Sequence, residues 1–211
     1  MARWFLALTV SVPLFASLPH LSDADMRDVV RMARIISIAQ PKLNAPKYFE
    51  YGFGVIRASK RYNIDPLLLI AITYQESAFR EGLPEGEAGE IGLCQIRKAW
   101  LENPGFRKEF GHVKEAALND PVKSLKFAAW ILKRIASSNQ HSRTLPFWCY
   151  YNSKQFENRL TYYLNVNRRF ITLKRLDPKL INASWTDLQK LGIRDLSQWR
   201  PPLELKLYPV Q

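Results

Sequence analysis

The segment IDPLLLIAITYQESAF, residues 64–79, constrains the fold more than any other stretch. From Leu67 to Ile72 every side chain is apolar, and only Thr73 and Gln75 break the run before Glu76. A helix that is apolar on every side has no face to offer water, so other elements must enclose it. Asp65 and Pro66 mark its start, with aspartate at the N-cap and proline at the first helical position. The spacing therefore predicts a central buried helix with Glu76 near its C-terminal end.

Two effects act on a carboxyl placed there. Loss of hydration disfavours its charge, and the negative end of the helix dipole works in the same direction. A carboxyl held protonated in this way serves as a general acid near neutral pH. The structural alternative is a glutamate that turns outward as the helix ends and pairs with Arg80. From the helix alone, both readings stand.

The rest of the chain supplies partners for such a helix. Ser22 and Asp23 open a segment in which Met26, Val29, Val30, Ala33 and Ile36 recur at helical period. Pro41 and Pro46 break the chain, and a second helix is predicted over about Tyr48–Tyr62, ended by Asn63. Residues 80–100, rich in Gly and Glu, read as a long loop with a short extended piece at IGLCQI. Asp120 and Pro121 start a further helix with the stripe Val122, Leu125, Ala128, Ala129, Ile131, Leu132 and Ile135. PFWCYYNS and FENRLTYYLNVNRRFITLKRL read as two more helices. After Asp177 the residues Trp185, Trp199, Pro201 and Pro202 punctuate a tail that reads as docked. Alternating strand patterns are nearly absent, so the fold class is mainly α.

Charge narrows the partners. Lys and Arg number 31 against 19 Asp and Glu, a formal net charge of +12. Such an excess favours nucleic acid, a membrane surface or an acidic cell-envelope polymer. Nucleic acid is disfavoured, because the chain lacks zinc-finger spacing, a glycine-rich phosphate loop and any dense Arg and Lys block. At the N-terminus, Arg3 precedes an apolar run from Trp4 to Leu18, too short to span a membrane comfortably and similar to a secretory signal peptide. Cys94 and Cys149 lack metal-site spacing. In an exported chain such a pair forms either a disulfide or two buried thiols.

Four blocks now fall into order, the first of them in two halves. Glu76, Ser77 and Phe79 match E-S-x-F, and Gly89, Gly92, Leu93, Gln95 and Ile96 match G-x-x-G-L-M-Q-I. Asp120, Pro121, Leu125 and Leu132 keep step with D-P-x-x-N-I-x-x-G-x-x-Y-L, and Tyr151 and Asn152 with A-Y-N-A-G. Tyr162, Tyr163, Val166 and Phe170 fall on the spacing Y-V-x-x-V-x-x-x-Y. Over about residues 55–172 the chain resembles the lytic transglycosylase family, whose fold is lysozyme-like. It departs from that pattern at Glu85, Gly86 and Glu87 in the loop, and at Cys94, Ser124, Ala128 and Ser153.

The resemblance implies a lysozyme-like α-helical domain over residues 48–175. Before it lie a signal peptide (1–18) and an N-terminal helical segment (19–47), and after it a docked C-terminal extension (176–211). It implies cleavage of the β-1,4 bond between N-acetylmuramic acid and N-acetylglucosamine in peptidoglycan, with Glu76 as acid and then base, giving 1,6-anhydro products. Gln95 would hydrogen-bond the sugar, Tyr162 hold the carboxyl or the N-acetyl group, and Asn152 brace the site. Tyr151, Ser77 and Leu93 complete the expected substrate-binding set, with Phe79 as a wall residue. Cys94 and Cys149 both flank blocks that converge on the cleft, which strengthens the disulfide alternative.

Glycan strands are the expected partner, and a cell-envelope secretion or division complex is a further candidate. The expected location is periplasmic or extracellular. No metal or organic cofactor is implied, because acid–base work by a glutamate needs none. The rival readings are a muramidase that activates water with Glu85, Glu87 or Glu90 as second carboxylate, and a non-catalytic peptidoglycan-binding module.

Overall fold

The computed structural model describes residues 22–138, 146–151 and 156–180. The expected signal peptide, Asn152, Ser153, and Trp185 and Trp199 of the tail lie outside these residues.

The architecture is helical. Helix α3 (Pro66–Ser77) lies at its centre, and Leu67 through Thr73 are all buried. Its start is fixed as the sequence suggests, with the Asp65 carboxylate accepting the Leu67 N–H at 2.9 Å. Two hydroxyls inside this apolar helix bond back to carbonyls one turn earlier: Thr73 Oγ1 donates to Leu69 O at 2.8 Å, and Ser77 Oγ to Thr73 O at 3.3 Å.

Helix α1 (Asp23–Ala39) packs along α2 (Ala45–Tyr62), and α2 in turn packs on α5 (Pro121–Ala136). Gly52 permits the first of these contacts, since a Cβ there would lie 2.8 Å from Val29 O. Helix α6 (Phe156–Leu180) crosses α3, and Lys174 meets the N-cap residue Asp65 at 2.8 Å. One core joins these layers, with Met32, Ile35 and Ile36 from α1, Val55 from α2, Leu125 and Leu132 from α5, and Val166 from α6. Helix α1 thus shares the core of the elements that follow it.

The extended piece at IGLCQI is a hairpin. Strands β1 (Glu90–Ile91) and β2 (Ile96–Arg97) run antiparallel, with Glu90 opposite Arg97 and Ile91 opposite Ile96. Residues 92–95 form its turn.

Several elements differ from the expected ones. Between the hairpin and Asp120 the chain forms 3-10 turns at Lys98–Glu102 and Glu115–Asn119 with helix α4 (Pro104–Phe110) between them. The Asn103 side chain caps α4 by accepting from Gly105 and Phe106 N–H, and Pro104 follows it. This is the same start signal that Asp65–Pro66 and Asp120–Pro121 carry. Helix α4 buries Phe106 against Phe110, Phe127 and Trp130. In the described part of PFWCYYNS, residues 146–151, the chain forms a 3-10 turn at Phe147–Tyr150 instead of an α-helix. Helix α6 runs on to Leu180 because Leu173 and Leu176 are buried and Asp177 pairs with Arg31 of α1 at 3.2 Å.

Candidate active site

The site forms where α3 ends. Glu76 occupies the last turn of that helix and is half-buried. Helix α6 brings Tyr162 against it, and the Tyr162 hydroxyl donates to Glu76 Oε1 at 2.6 Å. Tyr162 is only 4% exposed. Burial first, then the charge of Glu76 and the hydrogen bond to it, push its phenol well above the usual range. At neutral pH it is therefore the donor of this pair. Arg80 donates from its Nε to Ser77 O at 3.0 Å.

The hairpin turn supplies the opposite wall. Its shape needs positive φ at Gly92 (77°) and Gln95 (47°). Gln95 Nε2 donates to Gly92 O at 2.9 Å, and the backbone N–H of Gln95 donates to the same oxygen at 3.0 Å. The turn is pinned from beneath, where Ser124 Oγ of α5 accepts the Cys94 N–H at 3.1 Å. Tyr151 pins it from the side by donating to Cys94 O at 2.9 Å. Tyr151 also stays a phenol, raised by burial and then by the nearby Cys94 and Glu76.

These elements line a narrow cleft that opens to solvent. Glu76, Gln95 and Tyr151 line it together with Glu90, Arg97 and Trp100, and Ile96 and Ile131 complete the walls. Of the residues expected at the site, the structure thus brings Glu76, Gln95, Tyr151 and Tyr162 together. Ser77 and Leu93, each 1% exposed, lie beneath the surface rather than on it. Phe79 is also fully buried, stacked on Tyr51.

Trp100 and Arg97 were not among the expected residues. Trp100 is held edge-on against Trp130, with ring centroids 6.0 Å apart at 89°. The available signal was an aromatic placed directly after the hairpin, in a stretch read as plain loop.

The loop glutamates separate. Glu85 and Glu87 are exposed, and Glu85 pairs with Lys98 at 2.8 Å. Glu90 lies in the cleft and accepts from Arg97 Nε at 3.0 Å and from the Ala88 N–H at 2.9 Å. Burial pushes its carboxyl up, but these donors outweigh burial and hold it below the usual range.

Cys94 and Cys149 are free and fully buried. Cys94 belongs to the main core and touches Thr73 Oγ1 at 3.5 Å, whereas Cys149 packs with Tyr163 and Trp148 in a separate cluster. Burial pushes both thiols up to about 12. A thiol-reactive disulfide reagent at pH 8 should therefore leave the native protein unlabelled and titrate both thiols once it is unfolded. Rapid labelling of the native chain would contradict this burial.

Among the described residues, no three His, Cys, Asp or Glu side chains converge as metal ligands would. No helix among them is long and apolar enough to cross a membrane.

A family model described as Transglycosylase SLT domain matches residues 54–160. No curated protein and no solved structure gives a match. The matched span runs from α2 to the start of α6 and contains Glu76, the hairpin turn and Tyr151. That span is about half of the 211 residues, and the chain belongs to the Transglycosylase SLT domain family.

Proposed function

We propose that the protein is a peptidoglycan lytic transglycosylase in which Glu76 alone is acid and base. The observation that carries this reading is the hydrogen bond from Tyr162 to Glu76 Oε1 at 2.6 Å, at the edge of an open cleft. With Oε1 accepting from a phenol that keeps its own proton, the transferable proton belongs on Oε2. Glu76 gives that proton to the glycosidic oxygen as the bond from C1 of N-acetylmuramic acid breaks. The resulting carboxylate takes the proton of the muramyl 6-hydroxyl, whose oxygen bonds to C1 and closes the 1,6-anhydro ring. Water is not consumed, and the glutamate returns to its starting form.

The cleft supports that sequence of steps. Gln95 spends its N–H on Gly92 O, which leaves its Oε1 to accept from a sugar hydroxyl. Trp100 offers a ring face of fixed orientation against a pyranose. Asn152 keeps its proposed role as a brace. A wall substrate lies outside the cytoplasmic membrane, so this reading includes export, with residues 1–18 as the signal.

The test is mass spectrometry of soluble muropeptides released from purified sacculi. Products of 1,6-anhydro type are expected from the parent and not from Glu76→Gln. Reducing-end products would favour the muramidase reading, for which the ionised Glu90 in the cleft is the specific support. In that case Glu90→Gln should also abolish release. Binding to sacculi without release would leave a binding module.

Tyr162→Phe removes the donor to Glu76 and little else. A hydrogen bond to a charged group contributes roughly 1.5–3 kcal/mol, so kcat should fall about 10- to 100-fold with KM nearly unchanged. A normal kcat in that variant would remove Tyr162 from the mechanism.

A further inference from the structure

Helix α3 does not fray after Glu76. It stops in two consecutive left-handed residues, Ala78 (φ 51°) and Phe79 (φ 58°), and neither is glycine. Residues with a Cβ resist this conformation, so it persists only where the surroundings hold it.

Three carbonyls at this helix end have specific donors. Tyr74 O accepts from Ala78 N–H at 2.8 Å, and Ser77 O from Arg80 N–H at 3.1 Å. Ala78 O accepts from the side-chain amide of Gln40 at 2.7 Å. Gln40 is itself fixed. It caps α1 through its backbone N–H to Ile36 O at 2.8 Å, and its carbonyl accepts from Tyr48 Oη at 3.3 Å. Phe79 stacks on Tyr51 with centroids 5.6 Å apart, and the Tyr51 hydroxyl donates to Glu81 at 2.5 Å. Lys47 meets the same Glu81 oxygen at 2.7 Å.

Gln40, Lys47 and Tyr51 all precede residue 54, where the family match begins. Of the three, Gln40 alone is shown bonding the backbone of the left-handed turn. Glu76 sits two residues before that turn, and its partner Tyr162 is held on a different helix. A small rotation of the last turn of α3 would therefore carry the carboxyl away from the phenol.

We propose that Gln40 is a positioning residue for Glu76. Through its amide, α1 sets the turn that holds the carboxyl in register with Tyr162, so the working site begins before the matched family segment. The proposal rests on the reading of Glu76 as the acid and base.

Its test uses two variants of the full chain. Gln40→Met keeps the side-chain volume and removes the donor, while Gln40→Lys restores one. The expected result for Gln40→Met is a kcat about tenfold lower with KM within about twofold of the parent, and Gln40→Lys recovers most of the loss. Carbon-13 NMR of the Glu76 carboxyl gives a readout independent of turnover. Its titration midpoint should move in Gln40→Met and return in Gln40→Lys, while the titratable groups around it, Tyr162, Tyr151 and Cys94 and, in the same cleft, Glu90 and Arg97, are unchanged.

A lower melting temperature with kcat and the carboxyl signal unmoved would make Gln40 purely structural and overturn the proposal. Equal impairment of both variants would show that the donor is not what matters, and would overturn it too. A parent that yields no anhydro product defeats the functional reading alone, and the carboxyl signal then decides the positioning role.

Discussion

Glu76→Gln is expected to release muropeptides roughly 10³- to 10⁴-fold more slowly than the parent, with its melting temperature unchanged or raised. General acid–base catalysis by one positioned group contributes about 10²- to 10⁴-fold, and here a single group serves both proton transfers, which places the loss at the upper end. The fold should tolerate the change. Glutamine keeps an acceptor where Tyr162 donates, so the 2.6 Å contact survives in neutral form. Turnover on sacculi and a thermal melt, measured on the same preparation, check both halves. Residual activity above about a tenth of the parent would mean that another group transfers the proton. A large drop in melting temperature would mean that Glu76 is held for packing.

How much of this was legible in the sequence differs by element, for physical reasons. Helix α3 was readable because a run apolar on every side has no exposed solution, and because Asp65–Pro66 punctuates its start. The pairing of Glu76 with Tyr162 is long-range, across 86 residues, and only the resemblance suggested it. The hairpin was half-readable. IGLCQI has strand-like ends, but a turn that needs positive φ at Gln95 is stabilised by Tyr151 and Ser124, which periodicity cannot see. Ser124 shows how a departure from the family pattern can be put to use, since its short hydroxyl meets the Cys94 N–H inside the core. Helix α4 carried the Asn103–Pro104 start signal, yet its seven residues are too few for an apolar stripe to declare itself. Ser77 and Leu93 matched motif positions that serve the site from below. Spacing gives a residue its place in a pattern, and burial decides whether it can touch a ligand.

The second large effect is on stability, and it tests the hairpin that forms half of the cleft. Gly92→Ala is expected to cost roughly 4 kcal/mol of folding free energy, read as a fall in the urea midpoint. Two penalties coincide. The residue has φ 77°, which an L side chain adopts at a cost of about 1–2 kcal/mol. A Cβ there would also lie 1.9 Å from Leu118 O and 2.8 Å from the carbon of that carbonyl. These are backbone atoms of the Glu115–Asn119 turn, anchored by the fully buried Leu118, so they cannot swing aside as a side-chain tip would. Gly89 is the matched control. Its φ is 79°, but the nearest atom to an added Cβ is the Lys98 Cε at 3.5 Å, the end of a flexible chain. Gly89→Ala should therefore cost only the backbone penalty of about 1–2 kcal/mol. If both substitutions cost the same, the turn can lift away from Leu118 freely, and the close approach is not what fixes it. If Gly92→Ala alone is severe, the pinned turn is what presents Gln95 to the cleft, and whatever folded variant survives should lose turnover as well.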